Sequence, residues 1–265
     1  MTEIDLPKLV RARGIRRTIT IRPIMPPRTL AKELLNALYA PSIRMWAAGL
    51  DRILAAYEQT LSQLTTDSPA DIDREIGASA SAFDRLLLVL TPALRNWGVR
   101  VERWHRGRWI ANVLSATSID LGTMLTIGDV EETVDVVIRR NVSLVRDVSE
   151  QARGRIADAV FRGVQQRTPV REVAKELREA VEMGRQRSIR IAADQATKLT
   201  TALDTERMKQ AGIEKWEWKH SGKLHPRQQH LARDGKVYTF DDPPADMPGD
   251  LPFCGCRKLA VIELD

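Results

Sequence analysis

From Arg28 to Gly212 apolar residues return every three or four positions almost without pause, and this periodicity constrains the fold more than any other feature. In "RTLAKELLNALYAPSIRMWAAGLDRILAAYEQTLSQL" the positions Leu34, Leu35, Leu38, Trp46, Leu50, Ile53, Leu54, Tyr57 and Leu61 follow it. The break at Ala40-Pro41 predicts two helices or one bent one. Ser68 as N-cap and Pro69 at the first helical position open a further helix, within which Pro92 predicts a kink or a restart. Trp97, Trp104, Trp109 and His105 cluster on it and read as packing residues, with His105 at the surface or hydrogen-bonded rather than a metal ligand. Residues 117–130, with two glycines and several β-branched residues, predict a loop with a short strand or an excursion between helices. Helical spacing then returns from Asn141 through Val160. Thr168-Pro169 opens the next helix, Gly184 is expected to end it, and a third carries Ile189, Ala192, Ala196, Leu199 and Leu203 on one stripe before stopping at Gly212.

After Gly212 the period changes. "EKWEWKH" alternates like a strand, with Trp216 and Trp218 on one face, and Ser221-Gly222 reads as a turn. "PRQQHLA" has room for one or two helical turns, Asp234-Gly235 is a turn signal, "KVYTF" is strand-like and "RKLAVIEL" is an apolar strand. The predicted fold class is therefore mostly α: a helical N-terminal and central region with a small C-terminal α+β module. The chain divides into a basic N-terminal arm (1–28), a helical region (29–134), a second helical region (135–212) and the module (213–265). A module of about fifty residues usually needs a staple.

Composition excludes several classes. With 265 residues and 43% apolar content the chain can fill a real core. No run of 18 or more apolar residues occurs, and "MTEIDLPKLVRARGIRR" lacks the apolar stretch of a secretory signal, so synthesis in the cytoplasm and no membrane partner are expected. Charge is concentrated: residues 1–28 hold seven basic side chains against two acidic ones, whereas the rest of the chain holds 34 against 33. An arm carrying Arg11, Arg13, Arg16 and Arg17, with no helical pattern, can lie on nucleic-acid phosphates or an acidic partner, or remain a solvated terminus.

Both cysteines, Cys254 and Cys256, are one residue apart, which argues for thiols or metal ligands over a disulfide. Zinc prefers thiolate and imidazole, so a structural zinc site would draw on Cys254, Cys256 and His230, with His225 or His220 as the fourth ligand. The other reading makes the cysteines small buried apolar groups and gives His230 a backbone hydrogen bond beneath the Trp216/Trp218 face. A Cys256/His230 nucleophile pair or a His225/His230/Asp234 metal nuclease can be drawn, but no His-Glu-x-x-His, P-loop or Gly-x-Ser-x-Gly accompanies either. No enzyme activity and no small-molecule substrate are expected.

The order of "NVSLVRDVSEQ", "RIADAVFRGVQQRTPVREVAKEL", "RSIRIAADQATKLTTALDTERMKQAGI", "EKWEW", "RQQHLARDG" and "PFCGCR" resembles the phage head morphogenesis family typified by the Mu F-like minor head (minor capsid) proteins, over roughly residues 135–265. Its most specific pieces here are Arg227, His230 and Gly235 within "RQQHLARDG" and Pro252, Cys254, Cys256 and Arg257 within "PFCGCR". Where the family usually carries an Ala-Arg-Thr-Glu-like stretch on the preceding helix, this chain has "AADQAT", so no role tied to that glutamate carries over. The resemblance implies a bacteriophage virion protein, assembled in the host cytoplasm and then resident in the head at or near the portal. It implies the portal protein and the major capsid or other head proteins as partners, with contact to packaged double-stranded DNA. The competing reading is a DNA-binding assembly factor with a structural metal module, absent from mature particles.

Overall fold

The computed structural model describes residues 4–62, 70–126 and 128–264, and over these the helical periodicity becomes helix. Helix α2 (Arg28–Leu34) passes through a π-helical turn at Leu35–Tyr39 into α3 (Ala40–Ser62). The run is continuous because the π turn absorbs Pro41. Ala40 N–H reaches back five residues to Leu35 O, so the register slips just where proline has no donor to give.

Helix α4 spans Ala70–Thr117 and Pro92 does not restart it. The carbonyl that Pro92 leaves without a helical donor belongs to Leu88, which is 76% exposed, so water can satisfy it. The expected Ser68/Pro69 start lies outside the described residues. One stretch of α4 is, by length and composition alone, apolar enough to cross a membrane; it is 22% buried. After a loop and a short 3-10 turn (Gly128–Val130), α5 runs Glu131–Gln166 and α6 runs Val170–Gln210.

Gly184 does not end a helix but lies inside α6, where a Cβ would come 2.9 Å from Ile43 Cδ1; the glycine makes room for a neighbour. Gly212 does stop α6. It adopts φ +66°, its N–H donates to Lys209 O and Ile213 N–H donates to Met208 O, the paired bonds of a Schellman cap. Ile189, expected on the buried stripe, is exposed because that stripe runs through Ser188, Ala192, Gln195 and Leu199, and residue 189 is turned away from it.

The sheet is antiparallel with order β1-β4-β2-β3. Strands β2 (Lys215–Lys219), β3 (Val237–Thr239) and β4 (Arg257–Ile262) arise where the sequence predicts strands, with the four-residue helix α7 (Gln228–Leu231) between β2 and β3. The first strand was not foreseen. The arm expected to lack helical pattern folds: α1 (Leu6–Ala12) begins where Asp5 Oδ1 accepts from Lys8 N–H, buries Leu6 and Val10, and is followed by β1 (Ile19–Ile21). Ile19 pairs with Ile262 and Ile21 with Ala260. The alternating "ITI" supplies an apolar face whose partner lies at the other end of the sequence, so no local window discloses the pairing.

Two compact units result. One comprises Met1–Ala31, Gly98–Val137 and Ala193–Asp265, and the other Lys32–Trp97 and Ile138–Ala192. The core of the second packs Trp46, Ile53, Tyr57, Ile72, Ile156, Val160, Val173 and Leu177. Its polar tips are satisfied: Trp46 Nε1 donates to Ser149 Oγ (2.8 Å) and Tyr39 Oη to Asn141 Oδ1 (2.9 Å). The core of the first unit gathers Leu6, Ile21, Trp109, Leu121, Met208, Trp216, Trp218, Cys254, Cys256 and Ile262, and so encloses the module's cysteines.

Candidate functional site

Alternation on β2 sends Trp216 and Trp218 to the same side, and both are fully buried. Each buries on the order of 200 Å², about 5 kcal/mol of transfer free energy before ordering costs. Tyr238 and Phe240 lie against Trp216, with ring centroids 5.1 and 6.4 Å away. The ring of His230, on α7, meets Trp218 edge-on at 5.0 Å, and Arg233 lies over the same indole at 5.1 Å. Gly235, at φ +77°, returns the chain so that its N–H donates to Trp218 O and Trp218 N–H donates to Lys236 O.

Beneath this aromatic face His230, Cys254 and Cys256 converge, all buried, with ligand atoms within 4.8 Å of one another. His230 Nδ1 lies 3.6 Å from each sulfur. Its Nε2 lies 2.7 Å from Asp246 Oδ2, and Arg233 Nη1 donates to Asp246 Oδ1 at 2.7 Å. Burial opposes ionisation of Asp246, yet the hydrogen bonds from Arg233 and His230 hold its carboxyl below the usual range. A hydrogen bond from Cys256 pulls the Cys254 thiol down, and the same bond with burial pushes Cys256 up. The donor set, one imidazole and two thiols, is compatible with zinc.

The loop bearing the cysteines is anchored from α6. Lys198 Nζ donates to the carbonyls of Gly249, Asp250 and Leu251 at 2.5, 2.7 and 3.3 Å. Asp194 Oδ1 accepts the N–H of Phe253 at 2.7 Å. Arg227 Nη2 donates to Pro252 O at 2.9 Å. Arg257 is buried, its charge disfavoured by burial, and its Nη1 reaches Thr197 O and Thr201 Oγ1.

The structure thus brings Trp216, Trp218, Arg227, His230, Gly235, Pro252, Cys254, Cys256 and Arg257 into one module, each with an identifiable contact. His225 is exposed and outside the three-residue cluster. His220 Nδ1 instead accepts Gly222 N–H at 3.1 Å. His105 is buried and bonded to Asp204 (2.8 Å), the hydrogen-bonded alternative drawn from the sequence. Arg11, Arg13, Arg16 and Arg17 are exposed on the folded arm. Sequence reasoning missed Asp246, Arg233, Lys198 and Asp194. The only local hint was that Asp194 and Lys198 sit in or beside "AADQAT", the stretch that departs from the family pattern.

A mostly helical chain that closes on a small antiparallel sheet with a buried His/Cys/Cys cluster is the class defined by this fold and site. Residues 154–259 match the model of the family described as Phage Mu protein F like protein. The match begins within α5, includes all of α6 and extends into β4, taking in every residue of the cluster. A Haemophilus influenzae protein described as uncharacterized is 27% identical over 155 residues, covering 57% of this chain and 35% of that relative. The match therefore spans about a third of the relative's length. No solved structure matches the chain.

Proposed function

We propose that the chain is a structural minor head protein of a tailed bacteriophage or prophage, acting in head morphogenesis at or near the portal. In this reading its C-terminal module is stapled by a metal ion of the zinc class and performs no turnover. The observation that carries the proposal is the Phage Mu F-like match over residues 154–259, which coincides with α6 and with the module holding the cluster. The helical surfaces meet the portal protein and other head proteins. Arg11, Arg16 and Arg17, with Arg13 where its guanidinium is not bonded to Ser118 O, face solvent and can meet packaged double-stranded DNA, since phosphate contacts dominate such binding. The protein is made in the host cytoplasm and ends in the phage head.

Quantitative mass spectrometry of purified particles from the phage or induced prophage tests the proposal. Detection at a few copies per particle is the expected result. Absence from mature particles despite expression in the infected cell overturns it, in favour of a DNA-binding assembly factor that leaves before maturation.

A further inference from the structure

We infer that the cluster is a tetrahedral site whose protein ligands are His230 Nδ1, Cys254 Sγ and Cys256 Sγ, and that Asp246 is the positioning residue that aims the imidazole at the ion. The inference rests on the reading that a metal staples the module, and adds to it a ligand set and an outer carboxylate.

A zinc–sulfur bond of about 2.3 Å and a zinc–nitrogen bond of about 2.0–2.1 Å at the tetrahedral angle place nitrogen and sulfur about 3.6 Å apart. His230 Nδ1 stands 3.6 Å from Cys254 Sγ and 3.6 Å from Cys256 Sγ. The two edges of the tetrahedron that involve the histidine therefore have the length a bound ion would set.

An ionised carboxylate only accepts hydrogen bonds, so the 2.7 Å contact with Asp246 Oδ2 fixes the ring proton on Nε2. In the neutral imidazole the lone pair is then on Nδ1, facing both sulfurs. Asp246 cannot swing away easily, because Arg233 holds its other oxygen at 2.7 Å and is itself stacked over Trp218. A carboxylate on the far nitrogen of a metal-bound histidine is the usual outer support of such sites.

Both sulfurs reach one point because the residue between them has no side chain: a Cβ on Gly255 would lie 2.9 Å from Ser221 Cβ and 3.1 Å from Lys223 Cε. His225, in contrast, is exposed and away from the cluster. Among the described residues no fourth histidine, cysteine or carboxylate joins the three.

The test uses the full chain, with Zn2+ content measured by inductively coupled plasma mass spectrometry, Zn2+ affinity measured by chelator competition, and thiolate ligation read from the charge-transfer absorption of the Co2+-substituted protein. Wild type and His225→Ala are expected to bind one ion each with the same Co2+ spectrum, and His230→Ala and Cys256→Ser to lose it. Asp246→Asn keeps a hydrogen-bond acceptor but removes the charge. It is expected to retain the Co2+ spectrum and the far-ultraviolet circular dichroism of wild type while Zn2+ affinity falls about 10–100-fold. Metal-free wild type that also fails to take up Zn2+ sinks the stapling reading itself. Metal binding with wild-type affinity in Asp246→Asn, or loss of the ion in His225→Ala, leaves that reading standing and overturns the ligand set proposed here.

Discussion

Replacing Lys198 by methionine isolates the anchor on the cysteine loop, because the stem keeps roughly its volume while the ammonium disappears. Lys198 is 9% exposed and its Nζ donates to three successive carbonyls, of Gly249, Asp250 and Leu251. Hydrogen bonds to a charged group contribute about 1.5–3 kcal/mol each, but burying the ammonium costs several kcal/mol, so the sum is well below three full bonds. Of the three residues Gly249 is buried whereas Asp250 is exposed and Leu251 half-buried, so water can reach part of the orphaned set. A loss of about 2–4 kcal/mol is expected, dominated by the stranded Gly249 carbonyl. Urea unfolding followed by tryptophan fluorescence reads this change, since Trp216 and Trp218 sit in the same core as the loop. Thiol labelling of Cys254 and Cys256 in native buffer should accelerate in parallel, as the loop is released from α6. A change under about 0.5 kcal/mol with unaltered labelling would refute the claim that this lysine anchors the site, because surface substitutions commonly fall in that range.

Three further outcomes are expected. Arg207, fully buried, donates to Glu102 Oε1 (2.6 Å), Thr126 O (2.9 Å) and Gln210 Oε1 (2.7 Å). Arg207→Met should cost about 3 kcal/mol by taking the nearest partner from buried Glu102, which retains Arg106 Nε at 3.4 Å, and adding Glu102→Gln should recover part of it in a double-mutant cycle. Phe253 is half-exposed and held at φ +59°, which strains an aromatic residue; Phe253→Asn should raise stability by about 0.5–1 kcal/mol, and a lowered denaturation midpoint would contradict the strain argument. If Arg11, Arg13, Arg16 and Arg17 touch DNA, changing all four to alanine should flatten the plot of log binding constant against log salt by about 0.9 for each phosphate that is no longer neutralised. The substitution is a cleaner test than deleting residues 1–28, because deletion would also remove β1 from the sheet.

The features legible in the sequence share one property: their determinants are close together along the chain. Helical periodicity, the Trp216/Trp218 face of β2, the turn at Gly235 and the stop at Gly212 each depend on residues within a few positions of one another. So does the gathering of two cysteines about a single glycine. Local rules failed where a proline or glycine had a tertiary solution. Pro92 is carried through α4 beside an exposed carbonyl, and Gly184 is retained inside α6 to admit Ile43.

By itself the sequence determined that the chain is mostly helical and that a small sheet module follows Gly212, and it offered Cys254, Cys256 and His230, with His225 or His220, as candidate metal ligands. Tertiary structure decided the partners. It drew residues 19–21 of the arm against β4, selected His230 for the cysteines while leaving His225 exposed, turned Asp246 onto the far nitrogen of that histidine and reached Lys198 across to the loop. The physical reason is that short-range periodicity encodes which face is apolar, whereas a buried polar atom takes whichever complementary group the closed core brings within hydrogen-bonding distance.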